Sequence, residues 1–458
     1  MTPPTDLSTI FKAYDVRGVV PDQLDAPAAR AIGAGFARFV SSATGSPTPE
    51  ILVGYDMRTT ADELSSALIS GAVERGAVVT SLGLASTDLV YYASGSRDAA
   101  AIMLTASHNP AQYNGMKFCL PGAKPIGEES GLREVLAFAE EELARPPAAI
   151  APPTARHVDL LDEFCDHVRS FIDGASLRPL VVVADTANGM GGLVAPRVFA
   201  PLPIELHMLF GELDGSFPNH PADPIQPENL RDLIAAIAER GADVGLAFDG
   251  DADRVFLVDE LGVPLPGSTT TAIVAAAMLE RYPGATILYN CICSKTVREV
   301  IAERGGVGIR TRVGHSFIKQ VMAETGAVFG GEHSGHYYFK ENYRADSGII
   351  AALVVLEVLS RSGGALSELR KPFERYEASG EINTTVDDQA AVIDRVEAHY
   401  TAEGTSDRFD GLTVDLGSWW FNLRPSNTEP LLRLNVEAPD RAELARRVDE
   451  VLGLMRTP

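Results

Sequence analysis

The sequence is poor in cysteine, with 4 in 458 residues: Cys119, Cys165, Cys291 and Cys293. So few cannot staple a chain of this size. Cys291 and Cys293, one residue apart, also miss the C-x-x-C spacing of zinc and redox sites. All four are expected to be reduced and structural. Positive charge is scarce too: 39 Lys and Arg stand against 62 Asp and Glu, a net charge of −23. That argues against a general nucleic-acid binder, which needs a basic face to neutralise phosphates. An anionic small molecule remains admissible if cations are gathered locally or a metal is held. Long apolar runs are missing. The best uncharged stretch, Leu261 to Leu279, contains two prolines, two glycines, a serine and three threonines, and does not read as a membrane span. Asp6 and Lys12 interrupt the N-terminus, and no apolar signal core follows. A cytoplasmic protein is expected, without membrane or nucleic-acid partners.

What is present is the balance of a folded enzyme, 45% apolar and 22% charged. The length predicts about three or four domains. The Pro- and Ala-rich stretch Ala144 to Pro153 reads as a linker, and a second boundary is expected between Ser362 and Pro372. Glu-Arg-Gly occurs at Glu74, Glu239 and Glu303, each time closing a helix-like segment, with apolar strand-like runs on either side. The glycine suits a helix C′ position. The triplet is open between chance and three βα units, each the centre of an α/β domain with a partly parallel sheet. The C-terminal part differs: Gly411–Leu416, Trp419–Leu423 and Leu431–Glu437 read as strands, followed by an amphipathic helix from Arg441 to Met455 capped by Asp440. The expectation is three similar α/β domains with mixed sheets (1–148, 149–258 and 259–370) and a smaller α+β domain (371–458).

The sharpest chemical signal is Asp249-Gly250-Asp251-Ala252-Asp253-Arg254. Three alternating carboxylates converge on one hard cation if the backbone turns through them. The calcium-loop template fails, because Arg254 stands where its sixth position needs glycine and the flanks look like strands. A metal loop at the carboxyl end of a strand remains; without a cation the carboxylates would repel one another. Thr105-Ala106-Ser107-His108-Asn109-Pro110 ends an apolar strand and is open between an ordinary turn and a hydroxyl presented to a cleft, with Lys117 nearby. No G-x-S-x-G elbow surrounds Ser107. Gly331-Glu332-His333-Ser334-Gly335-His336 suits a polar ligand such as sugar hydroxyls, a structural turn, or less readily zinc. Arg424-Pro425-Ser426-Asn427-Thr428 holds the parts of a phosphate clamp, or is a Pro turn with a surface Arg. Tyr14, Arg17 and His315 lie in weaker local patterns. Neither nucleotide-binding glycine motif is present.

In this order, these motifs resemble the α-D-phosphohexomutase family, and most closely its bacterial phosphomannomutase/phosphoglucomutase group. Gly215-Ser216-Phe217-Pro218-Asn219-His220 is also similar to the family's proline-rich loop. The resemblance spans nearly the whole chain and implies four domains around a central cleft. It implies that Ser107 is the phosphoserine, and that Asp249, Asp251 and Asp253 hold Mg²⁺ together with a phosphoserine oxygen. His108, Lys117, Arg254, Tyr14 and Arg17 would line the reacting end. Glu332 and Ser334 would grip the sugar's 3- and 4-hydroxyls, with His315 and His336 as acid–base or sugar contacts. Arg424, Ser426, Asn427 and Thr428 would hold the non-reacting phosphate. A phosphoryl group would move between C1 and C6 of a mannose or glucose phosphate through a hexose 1,6-bisphosphate, in a monomer or homodimer. The alternatives are a phosphoglucosamine mutase and a metal-dependent sugar phosphatase. Glucose and mannose differ only at C2, so a site reading O3 and O4 admits both. His333, at the third position of the sugar loop, weakly disfavours glucosamine phosphate; the family's common Met is also absent there.

Overall fold

The structure is a computed structural model and describes residues 6–146, 155–425 and 431–456. Three of its four sheets repeat one winding. In the first, Glu50–Tyr55, Val78–Leu84, Ala100–Leu104 and Tyr113–Leu120 lie in the order second, first, third, fourth. The first three are parallel and the fourth is antiparallel. Leu180–Asp185, Ile204–Leu209, Val244–Phe248 and Val255–Asp259 repeat that order. So do Thr286–Asn290, Val307–Thr311, Phe329–Gly331 and Tyr337–Phe339. Parallel neighbours need a crossover, which helices supply, whereas the antiparallel fourth strand needs only a loop. Each repeat therefore carries one loop at the carboxyl end of its third strand, where open α/β sheets place ligands. These loops contain Ser107, the Asp249–Arg254 run and the Glu332–His336 run.

The glycines of the Glu-Arg-Gly triplets do end helices with positive φ: +83° at Gly76, +61° at Gly241 and +72° at Gly305. Their places in the repeat are not equivalent. The helices Ala61–Glu74 and Lys295–Glu303 link first and second strands, but Arg231–Arg240 links the second to the third. The triplet marks how a helix stops, not where it sits in the winding.

The first sheet also takes Val16–Val19 at one edge and Arg156–His157 at the other, the latter parallel to Val78–Leu84. The chain thus returns to this sheet after residue 148. Residues 147–153 of the expected linker lie outside the described residues. Within Leu261–Leu279 lies the helix Gly267–Arg281, buried from Gly267 to Leu279, and Gly348–Ser362 is buried along nearly its whole length. Both are core helices, and each buried leucine such as Leu353 or Leu356 contributes about 1.5–3 kcal/mol. No single helix among the described residues is long and apolar enough to cross a membrane. All four cysteines are free and buried.

The last sheet is wholly antiparallel, in the order Glu377–Thr385, Leu431–Ala438, Trp420–Pro425, Leu412–Asp415, Thr405–Asp407. The outer strands and the helix Gln389–Tyr400 went unread in the sequence, because the outer strands are polar and largely exposed. Asp440 caps the final helix, Arg441–Arg456, by accepting from the amides of Ala442 and Glu443 at 3.0 and 2.9 Å.

Candidate active site

The three equivalent loops meet around a cavity of about 180 Å³. Tyr14, Arg17, Ser107, His108 and Lys117 line it from the first domain, and Asp253 and Arg254 from the second. His315, Glu332, Ser334 and His336 line it from the third. Asp249 and Asp251 sit just behind, fully buried. Ser107 itself is buried and holds φ at +50°, a left-handed conformation disfavoured for any residue with a β-carbon. Its hydroxyl donates to Asp249 Oδ2 at 2.7 Å and accepts from Arg254 Nη2 at 3.2 Å.

The two loops touch at Gly250. A β-carbon there would lie 2.4 Å from the Ser107 carbonyl oxygen, with no flexible side chain to give way. Gly250→Ala is expected to displace the serine loop and lower kcat about 10²-fold, since a shift of roughly 1 Å costs that much. Steady-state kinetics check this, and a kcat close to wild type would show that the contact is slack.

The aspartate turn passes through Ala252 at φ +63°, between two antiparallel strands rather than two helices, as the rejection of a calcium loop required. Lys117 Nζ donates to Asp251 Oδ2 at 2.7 Å and to Asp253 Oδ2 at 2.6 Å. Thr87 donates to Asp251 at 2.6 Å, and Arg254 Nε to Asp249 at 2.9 Å. Burial pushes the Asp249 carboxyl up to about 8, with Arg254 opposing and Asp251 and Asp253 adding to the rise. Burial also opposes charge on Asp251, but Lys117 and Thr87 hold it well below the usual range. Asp251 Oδ1 and Asp253 Oδ1 remain buried with no hydrogen-bond partner among the described residues. An oxygen-only donor set with one ligand atom from each carboxylate within 4.8 Å of the others fits a hard divalent cation.

The histidines divide by environment. Arg254 and then burial push the His108 imidazole well below its ordinary pKa, so its Nδ1 is an acceptor for Arg254 Nη2. Burial, helped by Lys319, does the same to His315, whose Nδ1 is buried without a partner among the described residues. His336 lies with Nδ1 3.0 Å from Ser334 Oγ and Nε2 3.7 Å from Asp253. Glu332 is held rigidly: Asn290 and the Gly314 amide donate to Oε1 at 3.2 and 3.1 Å, and Tyr338 to Oε2 at 2.7 Å. Tyr14 donates to the Val313 carbonyl at 3.2 Å, and Arg17 Nε pairs with Asp15 at 2.8 Å.

Arg424 does not line this cavity, and its guanidinium lies 3.8 Å from Glu381 and 3.9 Å from Asp410. The residues expected beside it, Ser426, Asn427 and Thr428, lie outside the described residues. The His333 ring lies with Nδ1 3.0 Å from Ser268 Oγ and is not among the cavity walls. Several supporting residues were missed in the sequence. Lys319 and Asp346 form a buried pair at 2.8 Å, with the ammonium 3.6 Å from the Tyr91 ring centre. Arg58 and Asp56 form another at 3.2 Å. The pattern Asp-x-Arg directly after Ile51–Tyr55 was the available signal for the latter.

Family models described as phosphoglucomutase/phosphomannomutase, alpha/beta/alpha domains I, II and III, match residues 8–144, 162–262 and 266–376. The model of the C-terminal domain matches 381–454. A phosphohexose mutase of Xanthomonas campestris is 39% identical over 452 residues, covering 97% of this chain and 99% of that one. A phosphomannomutase of Escherichia coli K12 is 37% identical, covering 94% and 95%. The crystal structure of a phosphoglucomutase/phosphomannomutase family protein from Burkholderia thailandensis superposes with a TM-score of 0.87. It is 32% identical and covers 98% of this chain and 97% of that one. Fold, order of domains and whole-chain likeness agree: the chain belongs to the phosphoglucomutase/phosphomannomutase family, whose enzymes are hexose-phosphate phosphomutases.

Proposed function

We propose that the protein moves a phosphoryl group between C1 and C6 of mannose or glucose phosphate, with Ser107 as the covalent carrier. The observation that carries this reading is the setting of the Ser107 hydroxyl. It is bonded to Asp249 and Arg254, beside two unpartnered carboxylate oxygens, in the cavity that also holds Glu332. Asp249, Asp251 and Asp253 would hold Mg²⁺, which when bound neutralises charge on the phosphoryl group in transfer.

Phospho-Ser107 gives its phosphoryl group to the free hydroxyl of a hexose 1- or 6-phosphate. The bond from Ser107 Oγ to phosphorus breaks as the bond from the sugar oxygen forms; the sugar hydroxyl gives up its proton to a base, and the serine oxygen leaves beside the Arg254 guanidinium and takes up a proton to become the free hydroxyl. His315, kept neutral by burial and lining the cavity, is the base we assign to the sugar hydroxyl's proton. The resulting 1,6-bisphosphate turns end for end and returns its other phosphoryl group to Ser107, with the proton moving back. Glu332, locked by three donors, and Ser334 read the sugar's 3- and 4-hydroxyls, while Arg254, Lys117, Arg17, Tyr14 and His108 surround the reacting end. Arg424, with Ser426, Asn427 and Thr428, would take the phosphate that does not react. Local gathering of these cations allows a chain of charge −23 to bind sugar phosphates.

Phosphorus NMR with Mg²⁺, mannose 1-phosphate and a trace of hexose 1,6-bisphosphate tests this, with the glucose and glucosamine 1-phosphates in parallel. The expected result is conversion of the C1 phosphate signal into the C6 phosphate signal for mannose or glucose. Release of inorganic phosphate without the 6-phosphate would overturn the mutase in favour of a phosphatase. Turnover of the glucosamine ester alone would reassign the sugar.

A further inference from the structure

Arg58 follows the first strand of the first repeat, next to the strand that leads into the Ser107 loop. Its side chain is wholly buried, and all five of its N–H groups are spoken for. Nε donates to Asp56 at 3.2 Å. Nη1 donates to the carbonyls of Pro110 and Tyr113 at 2.9 and 2.8 Å. Nη2 donates to those of Ser107 and Asn109 at 2.8 and 2.7 Å. One planar fork thus holds four main-chain oxygens of the loop that keeps Ser107 in a left-handed conformation. A buried loop carbonyl such as that of Ser107 needs a donor, and here one side chain ties it to three further carbonyls, so the loop is held where the fork sits.

A second domain grips the other side of Arg58. A β-carbon on Gly215 would lie 2.4 Å from Arg58 Cα, so the loop that resembles the proline-rich loop docks directly on that backbone. The Phe217 ring lies 5.1 Å from the guanidinium carbon. The far end of the same loop is tied to the second sheet: Asn219 Nδ2 donates to Asn188 Oδ1 at 2.8 Å, and His220 Nε2 lies 3.1 Å from Asp185.

We propose that Arg58 is a positioning residue for phosphoryl transfer. Its fork sets the place of the Ser107 hydroxyl, and the Gly215–His220 loop holds the fork, coupling the second domain to the carrier serine. This rests on the reading of Ser107 as the phosphoryl carrier. A merely structural arginine would lower stability and leave turnover per folded molecule intact, which separates the two roles.

The test compares wild type, Arg58→Lys and Gly215→Ala. The readouts are thermal unfolding, kcat and KM for a hexose 1-phosphate, and phosphoserine content by intact mass after incubation with hexose 1,6-bisphosphate. Lysine keeps the charge but concentrates its donors on one atom and loses the fork. Arg58→Lys is expected to fold, to lower kcat about 10²-fold with KM within about twofold, and to take up the phosphoryl group more slowly. Gly215→Ala, with Arg58 intact, is expected to lower kcat about tenfold with KM unchanged. Wild-type kcat in Arg58→Lys, whatever its unfolding temperature, overturns the proposal. If that variant does not fold, wild-type kcat in Gly215→Ala overturns it. A wild type that takes no phosphoryl group overturns the reading of Ser107, and this inference with it.

Discussion

Ser107→Ala is expected to remove isomerisation almost completely, by about 10⁴-fold or more, while leaving the protein folded and able to bind sugar phosphates. The size of the effect follows from the chemistry. The proposed route has no step that omits the serine oxygen, and without it only direct attack between two sugar phosphates or by water remains. The cost to stability is small. Serine and alanine both have a β-carbon, so the strain at φ +50° is the same in each. Asp249 loses one donor at 2.7 Å but keeps Arg254 at 2.9 Å, a net loss of about 1 kcal/mol. Phosphorus NMR for turnover, intact mass for the phosphoryl group and thermal unfolding together read the result. Turnover within about tenfold of wild type would remove Ser107 from the reaction.

The parts of this site that were legible in the sequence are those whose chemistry is local. Three alternating aspartates point to a cluster able to hold a cation, and the apolar strand before Ser107 points to a serine at the carboxyl end of a sheet. The winding itself was half legible. A C′ glycine reports the end of a helix, so the Glu-Arg-Gly triplets located three real helices but put Arg231–Arg240 one crossover out of register. Partners distant in sequence were not legible. Lys117, on the fourth strand of the first repeat, meets Asp251 and Asp253 only because the second repeat packs against the first, and Lys319 meets Asp346 across 27 residues of the third repeat. Glu332 depends on Tyr338, Asn290 and an amide at Gly314, from three separate elements. Asp-x-Arg could have revealed the Arg58–Asp56 pair, but the other four acceptors of Arg58 are backbone oxygens, which no side-chain pattern reveals.

Chelation of divalent metal is the second large effect expected. Treatment with EDTA should lower turnover about 10³-fold, and added Mg²⁺ should restore it, since a bound cation supplies several kcal/mol to the transferring phosphoryl group. The same titration should raise stability. Three carboxylates are buried within reach of one another, and the two lysine and arginine partners leave Asp251 Oδ1 and Asp253 Oδ1 without a donor among the described residues. A cation that binds only the folded loop stabilises it by about 2.7 kcal/mol at a hundredfold excess over its Kd. Asp253→Asn separates this from a general salt effect. It removes a charge from the cluster and offers the cation a poorer ligand, while Asp251 still holds Lys117. The variant should therefore be as stable as wild type or more so in EDTA, should gain less from Mg²⁺, and should need more Mg²⁺ for whatever turnover remains. If Mg²⁺ shifts the unfolding of wild type and Asp253→Asn equally, the cation binds elsewhere, and the unpartnered oxygens must be explained by water alone.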